Sequence, residues 1–532
     1  MPNAIGIDLG ISYVSIAVVQ DGNVHIIPDI HGRKRIPSPY LLRTPVTHNI
    51  NPANVNPVCR PLRYSKEDAR VILAAAKALA ESYVGTTVDD AVITVPTFYN
   101  DMERVETRDA GRQVGLKVHR LLNTPTAAAI AQWADFPTFD AHLMLVLDIG
   151  ARGAESTILD VCNGLFEVKS SQGDCQLGGH SYDLKLRRYL EYHTRDQIQG
   201  GDLESLLSRT EDLKISLSVR ESISDASGVV ITRKEYEDVC KSNFTATVDL
   251  VKRTLHIAKV EKSDIQEVVF VGGTASTPIL QKILADFFGC SRRDLYCPQM
   301  AAVRGAALQA ASLTDRVLFS ELLILDVVPG PIHIELLPGF LLQLWPRNTT
   351  LTRESSIIIE ALSPEYLPRF VKLIEGDSRS VRTLGIFDLR CLQLPSDCQA
   401  TIEIKVSIDL DGIVDADVAL RHPESGITIP LQRMPVADNQ PNMDDDTKLI
   451  QPSESPSTAL LESYISFLQL IAPKLSTECQ DTLRAAIVHV ESTMTQQSSK
   501  TGQARAMALE YLIRTADRLI NNQTVPHFNI PD

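Results

Sequence analysis

Short apolar runs that stop at an acid and a glycine punctuate the first half of the chain, and a hairpin pattern follows each. In Ile5-Gly6-Ile7-Asp8-Leu9-Gly10 a buried-strand pattern breaks at Asp8 and Gly10. Residues 14–19 are apolar again, Asp21-Gly22 supplies a two-residue turn, and 24–27 return. The same order recurs in Leu145-Val146-Leu147-Asp148-Ile149-Gly150, then 158–159, the turn Asn163-Gly164 and 166–168. A strand, D-x-G, strand, hairpin unit repeated 140 positions apart predicts an internal duplication. Two such lobes would aim two strand-end aspartates and two glycine turns at one cleft.

Between and after the repeats the pattern alternates helix and strand. Ser65-Lys66-Glu67-Asp68 reads as a capping box opening an Ala-rich helix that stops near Gly85. Residues 90–95 form a strand closed by Pro96, Asn100 or Asp101 caps a charged helix, and Thr124-Pro125 starts another. Residues 176–262 are mostly helical. A third buried strand, 268–271, runs into Gly272-Gly273-Thr274-Ala275-Ser276 ahead of a helix reaching Phe288. Glycines there let the backbone approach a ligand, and a following helix start favours phosphate or ribose oxygens.

The stretch Ser320-Glu321-Leu322-Leu323-Ile324-Leu325-Asp326 is four aliphatic residues fenced by acids. It is too short for a core element and too apolar for a solvated linker, which makes it a docking segment between two units, or the first strand of the second. Beyond it, 340–345, 370–374 and 402–408 are short strand runs, the last alternating at period two, as in an antiparallel sandwich. Residues 434–457 are rich in Pro and Asp and read as a polar hinge. Amphipathic helices follow at 460–471, 476–495 and 503–521.

Composition narrows the function. A length of 532 residues accommodates about three to four domains. A net charge of -14 argues against sequence-independent nucleic-acid binding, which needs a positive field. Nine cysteines without a C-x-x-C pair or a His-rich cluster read as free thiols in a reducing compartment. With no secretory pattern at the start and no apolar run near the roughly 18 residues that span a bilayer, a soluble cytoplasmic protein is expected.

Several of these motifs, in order, resemble the seventy-kilodalton heat-shock chaperone family of DnaK type: Gly6-Ile7-Asp8-Leu9-Gly10 with Tyr13, Val92-Ile93-Thr94-Val95-Pro96 before Tyr99-Asn100-Asp101, Asn123-Thr124-Pro125-Thr126, Leu177-Gly178-Gly179, Val271-Gly272-Gly273, Leu322 to Asp326, and Glu375-Gly376. The resemblance implies an α/β actin-like two-lobed ATPase domain (1–318), an apolar linker (319–328), an antiparallel β-sandwich that binds peptide (329–433), a hinge (434–457) and a shortened α-helical lid (458–532). It implies ATP or ADP with Mg2+, and potassium as a further cation. Expected partners are unfolded or extended hydrophobic peptides, a J-domain co-chaperone and a nucleotide exchange factor, with no nucleic acid and no membrane.

Site residues carry over position by position. Asp8 and Asp148 hold Mg2+ through water, and Arg60 and Glu155 join them as catalytic candidates. Nucleotide contacts fall on Gly10, Ile11, Ser12, Tyr13, Gly150, Ala151, Arg152, Gly153, Gly179, Glu211, Lys214, Ser218, Gly272, Gly273, Thr274 and Ser276. Peptide contacts fall on Leu336, Leu337, Ile359 and Val371, with Arg369 where the family has an apolar lining residue. The departures bear on mechanism. Ile11-Ser12 replaces a threonine pair, and Gly150-Ala151-Arg152-Gly153 replaces three glycines and a threonine. Glu155 stands for an aspartate and Thr124 for a glutamate, while Ile215 and Ser276 fall where arginines sandwich the base. The second reading these losses raise is a hydrolysis-poor nucleotide-binding co-chaperone or regulator. A sugar kinase of the same fold is a third, opposed by everything after residue 326.

Overall fold

In the computed structural model the described residues are 4–38, 65–194, 209–224, 229–289, 293–294, 300–314, 322–337, 340–361, 370–377, 380–389, 400–421, 428–431, 433–434 and four helical positions at 481, 484, 487 and 488. Arg60, Arg369, the shortened segment 43–64, nearly all of the expected hinge and most of the expected lid lie outside them. The chain forms two compact units, Met1–Pro329 with Leu410–Ile413, and Gly330–Asp409 with Val414–Asp532.

The first unit carries two sheets of one topology. In the first, β1 (Ile5–Leu9), β2 (Tyr13–Gln20) and β3 (Asn23–Ile27) run antiparallel, with the short β4 (Ile36–Pro37) beside β2. On the other side of β1, β5 (Asp90–Val95) and β6 (Lys117–Asn123) add in parallel, giving the order β3-β2-β1-β5-β6. The second sheet repeats this as β9-β8-β7-β12-β13, from β7 (His142–Ile149), β8 (Ala154–Cys162), β9 (Leu165–Asp174), β12 (Ile265–Val271) and β13 (Arg293–Asp294). Each sheet therefore has an antiparallel hairpin on one flank of its acidic strand and parallel strands on the other. The tight hairpin turns match too: Asp21 and Gly22 have φ of 50° and 76°, and Asn163 and Gly164 have 44° and 84°. Both central residues are left-handed, as the twist of a two-residue hairpin requires.

Helices fill the faces. α1 (Lys66–Val84) opens on the Ser65–Asp68 capping box and ends at the left-handed Gly85; its Ile72, Leu73 and Ala76 bury against Ile5 and Ile7. α2 (Asp101–Gln113) is capped by Asn100 and Glu103, and α3 (Thr124–Asp135) starts with Pro125 in its first turn. In the second lobe α4 (Gly179–Thr194) and α6 (Arg233–Ala258) cover one sheet face, where Tyr182, Tyr236 and Phe244 pack on Leu145, Leu147 and Ile158. α5 (Thr210–Leu217) and the hairpin β10 (Ser222–Ser224) with β11 (Val230–Thr232) lie between them in sequence. After α7 (Pro278–Phe288), α8 (Ala301–Thr314) places Ala301, Ala302, Ala306 and Ala310 in a core shared with Val92 and Leu122 of the first sheet and Met144 and Val146 of the second. A Cβ on Gly305 would overlap the Ala127 carbonyl of α3, and one on Gly6 would overlap the α8 backbone at Ala307. Two glycines thus allow the helix to touch α3 and β1 backbone to backbone.

β14 (Leu323–Leu325) completes the unit as a parallel edge strand on β9, with Leu323, Ile324 and Leu325 opposite Leu165, Phe166 and Glu167. The apolar segment is a strand, as one of the two sequence readings allowed, but it belongs to the sheet of the first unit.

The second unit holds two antiparallel sheets. One has the order β16-β15-β18-β19-β23, from β15 (Ile332–Leu337), β16 (Phe340–Trp345), β18 (Phe370–Asp377), β19 (Ser380–Asp388) and β23 (Arg433–Met434). The other is β17-β20-β21-β22, from β17 (Arg353–Ala361), β20 (Ala400–Ile408), β21 (Val414–Arg421) and β22 (Thr428–Leu431). Ile402, Ile404, Val406 and Ile408 are buried with Val414, Val418 and Leu420, while Lys405, Asp415 and Asp417 face out. That is the period-two signature of sheets with one covered face.

Candidate functional site

Asp8 and Asp148 sit near the C-terminal ends of the corresponding strands β1 and β7. Thr94, the β5 residue paired with Asp8, donates its hydroxyl to Asp8 Oδ1 at 2.7 Å. Burial raises the Asp8 pKa, while the Thr94 hydrogen bond and the charge of Arg35 oppose the rise. Asp148 is pushed up to about 7, first by burial and then by the charge of Asp8. The Asp8 charge thus disfavours a second charge on Asp148, and a cation would relieve a site of this kind.

Three glycine turns gather beside them. Gly150 N–H donates to the Gly153 carbonyl at 3.0 Å and closes the β7–β8 turn. The Gly150 carbonyl accepts from Gly179 N–H at 2.9 Å and from the Thr274 hydroxyl at 3.2 Å, and the Ala151 carbonyl accepts from His180 N–H at 2.8 Å. One turn thereby anchors the Gly178–Gly179 and Gly272–Thr274 segments. Gly272, at φ +83°, lies so close to Asp148 that a Cβ would overlap its Oδ1. On the first lobe, the Gly10 carbonyl accepts from Ser38 Oγ at 2.9 Å, Ser12 is buried, and Ile11 packs on the lobe core. The Tyr13 ring lies 4.0 Å beneath the Arg35 guanidinium.

The α5 residues divide. Lys214 is buried and its Nζ is held by Asp183 at 2.8 Å and by the Gly179 carbonyl at 3.2 Å, tying α5 to a glycine turn. Glu211 lies one turn earlier, and Ser218 Oγ donates to the Lys214 carbonyl at 3.3 Å. Ile215 is exposed on the same helix, and Ser276 ends the short turn before α7.

The departures from the chaperone pattern have local partners. Arg152 leans toward the first lobe, with its guanidinium carbon 5.6 Å from the Phe98 ring centre, 5.8 Å from that of Tyr99, and Nη2 3.5 Å from Glu103 Oε1. Phe98 also accounts for Gly153, where a Cβ would stand 2.8 Å from the Asp174 carbonyl and 2.9 Å from the Phe98 ring. Glu155, opposite Asp148 in the β7–β8 ladder, is buried and accepts from Thr97 N–H at 3.1 Å. Burial, then the Asp148 charge, pushes its pKa up to about 8. Thr124 donates to the Val95 carbonyl at 3.1 Å and brings no carboxylate.

Sequence reading missed Arg35, Thr94, Phe98 and Glu103. Of these only Thr94 had a signal, as the residue level with Asp8 once β1 and β5 are paired in parallel. In the second unit Leu336 lies on β15, Leu337 ends it, and Ile359 on β17 pairs with Ile402. Val371 on β18 is buried.

The cradle fits a nucleotide with a hydrated divalent ion. The glycines leave room where a Cβ would obstruct. Among the described residues no group of three or more His, Cys, Asp or Glu could hold a metal ion by itself.

At the far edge of the same sheet, Ile324 is buried with Phe166 and Val168, whereas Leu323 is 55% exposed. Asp326 is buried and accepts from Asn123 Nδ2 at 2.7 Å and from its neighbour Val327 N–H at 2.9 Å. Asn123 Oδ1 in turn accepts from the buried Arg104 at 2.9 Å.

A duplicated α/β unit with paired strand-end carboxylates and glycine turns defines a two-lobed nucleotide-binding protein of the actin-like class. The Hsp70 protein family matches residues 63–523, and the chain belongs to that family of heat-shock chaperones. It is similar to the heat shock 70 kDa protein of Neurospora crassa, 34% identical over 372 residues, 66% of this chain and 58% of that protein. It is also similar to heat shock 70 kDa protein 2 of Paracoccidioides lutzii, 30% identical over 487 residues, 78% of this chain and 74% of that protein. The mitochondrial heat shock protein SSC3 of Saccharomyces cerevisiae is 34% identical over 384 residues, 67% of this chain and 59% of that protein. Among the described residues no helix is long and apolar enough to cross a membrane.

Proposed function

We propose that this chain is a divergent chaperone of the cytoplasm that binds ATP and ADP and couples nucleotide state, through the linker 319–328, to capture of unfolded or extended hydrophobic peptide. Residues 1–318 form the nucleotide unit, 329–433 a peptide-binding β-sandwich, 434–457 a hinge and 458–532 the lid. Bound Mg2+ supplies charge compensation at the phosphates, with potassium as a second cation. Asp8 and Asp148 orient its waters, the turns at 150–153 and 272–274 border the phosphate and ribose oxygens with Gly178–Gly179 braced against the first of them, and Lys214 fixes the adenosine side.

The observation that carries this reading is the continuous ladder β7-β8-β9-β14. It joins the strand of Asp148 to the linker strand through three sets of backbone hydrogen bonds. A change of position at the β7–β8 turn is therefore felt where the linker pairs, and the linker leads into the sheets that carry Leu336, Leu337, Ile359 and Val371. A J-domain protein and a nucleotide exchange factor are the partners such a cycle employs.

The test is single-turnover ATP hydrolysis by the purified chain with Mg2+ and potassium, with and without an extended hydrophobic peptide. Slow turnover accelerated by peptide supports the coupled chaperone. ATP binding with no peptide effect on either turnover or affinity would refute it.

A further inference from the structure

Arg35 follows β3 in the first lobe and had no role in any reading of the sequence. Its guanidinium carbon stacks 4.0 Å above the Tyr13 ring, and its Nη2 lies 3.7 Å from the point a Cβ on Gly273 would occupy. Its charge also reaches Asp8. The side chain therefore starts on one lobe and ends against the glycine turn of the other.

Its neighbour Arg33 is neutralised within hydrogen-bond distance, Nε donating to Asp29 Oδ2 at 2.7 Å. Among the described residues Arg35 forms no ion pair and holds its place through the aromatic face. A guanidinium steered by a ring toward a Cβ-free turn presents a flat fork of donors to whatever that turn binds, and such a fork suits phosphate oxygens. The rigid ring beneath it reduces the freedom lost when those bonds form.

We propose that Arg35 is a phosphate-binding residue that reaches across the cleft and donates to a phosphate oxygen of a nucleotide seated on Gly272-Gly273. The assignment rests on the nucleotide reading above. If Arg35 only supported the Tyr13 ring, its loss would affect all adenine ligands alike; if it only balanced Asp8, the loss would require Mg2+ and vanish for ADP titrated in EDTA, whereas a direct phosphate bond persists there.

Titrations of adenosine, ADP and ATP into the full chain, as wild type, Arg35→Gln and Arg35→Lys, distinguish these roles. The Gln variant should bind ADP and ATP about 10- to 100-fold more weakly, the range for losing a charged hydrogen bond. Adenosine affinity should not change, and Lys should recover part of the loss. Equal losses for adenosine and ADP, or no loss for ADP, would overturn the role of Arg35 while leaving the nucleotide reading intact. A wild-type chain that binds adenosine, ADP and ATP not at all would overturn both. Thermal unfolding of the ligand-free variants checks that the lobe remains folded.

Discussion

The carboxamide of Asn123, at the junction of β6 and α3, donates to the buried carboxylate of Asp326 just after β14, 2.7 Å away. Residues 203 positions apart thus join the end of β14 to the β6–α3 junction within the first unit. Arg120, buried nearby, feels the Asp326 charge as well. In Asp326→Ala, Asn123 Nδ2 loses its acceptor in a buried setting, at a cost of about 1–3 kcal/mol. That cost should appear as faster proteolysis at the linker, with ADP affinity unchanged. Unaltered cleavage would mean that this bond does not hold the linker.

Within β14, adjacent residues should behave oppositely. Ile324 is buried against Phe166 and Leu323 is 55% exposed. Ile324→Ala should weaken docking by roughly 2 kcal/mol or more, whereas Leu323→Ala should stay within about 0.5 kcal/mol. Hydrogen exchange of the β14 amides reads the difference, as a rise of at least about tenfold for the first variant alone.

Glu155 predicts a pH dependence of stability. Its carboxyl ordinarily titrates near 4.5 and in the fold is raised to about 8 by burial and the Asp148 charge. Between those values the folded chain holds a proton that the unfolded chain has lost. The contribution is therefore fully present below 4.5 and drains as pH rises through 8, at up to about 1.4 kcal/mol per pH unit. Glu155→Gln keeps an acceptor for Thr97 N–H and removes the titration. Its unfolding midpoint without ligand should gain on wild type from pH 5 to pH 8. A constant gap would place the proton elsewhere.

Gly272 couples backbone conformation to the carboxylate. Alanine there must adopt φ near +83° and push against Asp148 Oδ1. Gly272→Ala should destabilise the unit by about 1–3 kcal/mol, and displacement of Asp148 should lower ATP affinity more than Gly22→Ala does. Gly22 is also left-handed, but a Cβ there meets nothing within 4 Å. Equal effects of the two substitutions would reduce the role of Gly272 to its turn.

Much of this architecture is legible in the chain because it depends on local rules. The hairpin turns, the Ser65 cap, Pro125 at a helix start and the acid at the end of each buried strand all speak within a few residues of themselves. The duplication is legible because the same local string occurs twice. Arg35 over Tyr13, Phe98 against Gly153 and Glu103 beside Arg152 are not, since each pairs side chains from different elements and needs the packed lobes to exist first. The 322–326 segment is intermediate: its apolarity marks it for burial, but the choice of β9 as partner and the exposure of Leu323 follow from sheet register. Lys214 shows the converse: the family pattern singles it out, and its Asp183 partner emerges only in the fold.

On the function proposed above, events at Asp8 and Asp148 govern peptide release. The direct measurement is the dissociation rate of a labelled extended peptide from the full chain after addition of Mg-ATP or Mg-ADP, in wild type and in Asp148→Asn. Wild type should release peptide faster with Mg-ATP than with Mg-ADP. The variant should lose the difference while unfolding at no lower temperature, because a neutral amide relieves the charge facing Asp8. Equal release rates with the two nucleotides in wild type, or an undiminished ATP response in Asp148→Asn, would contradict the account.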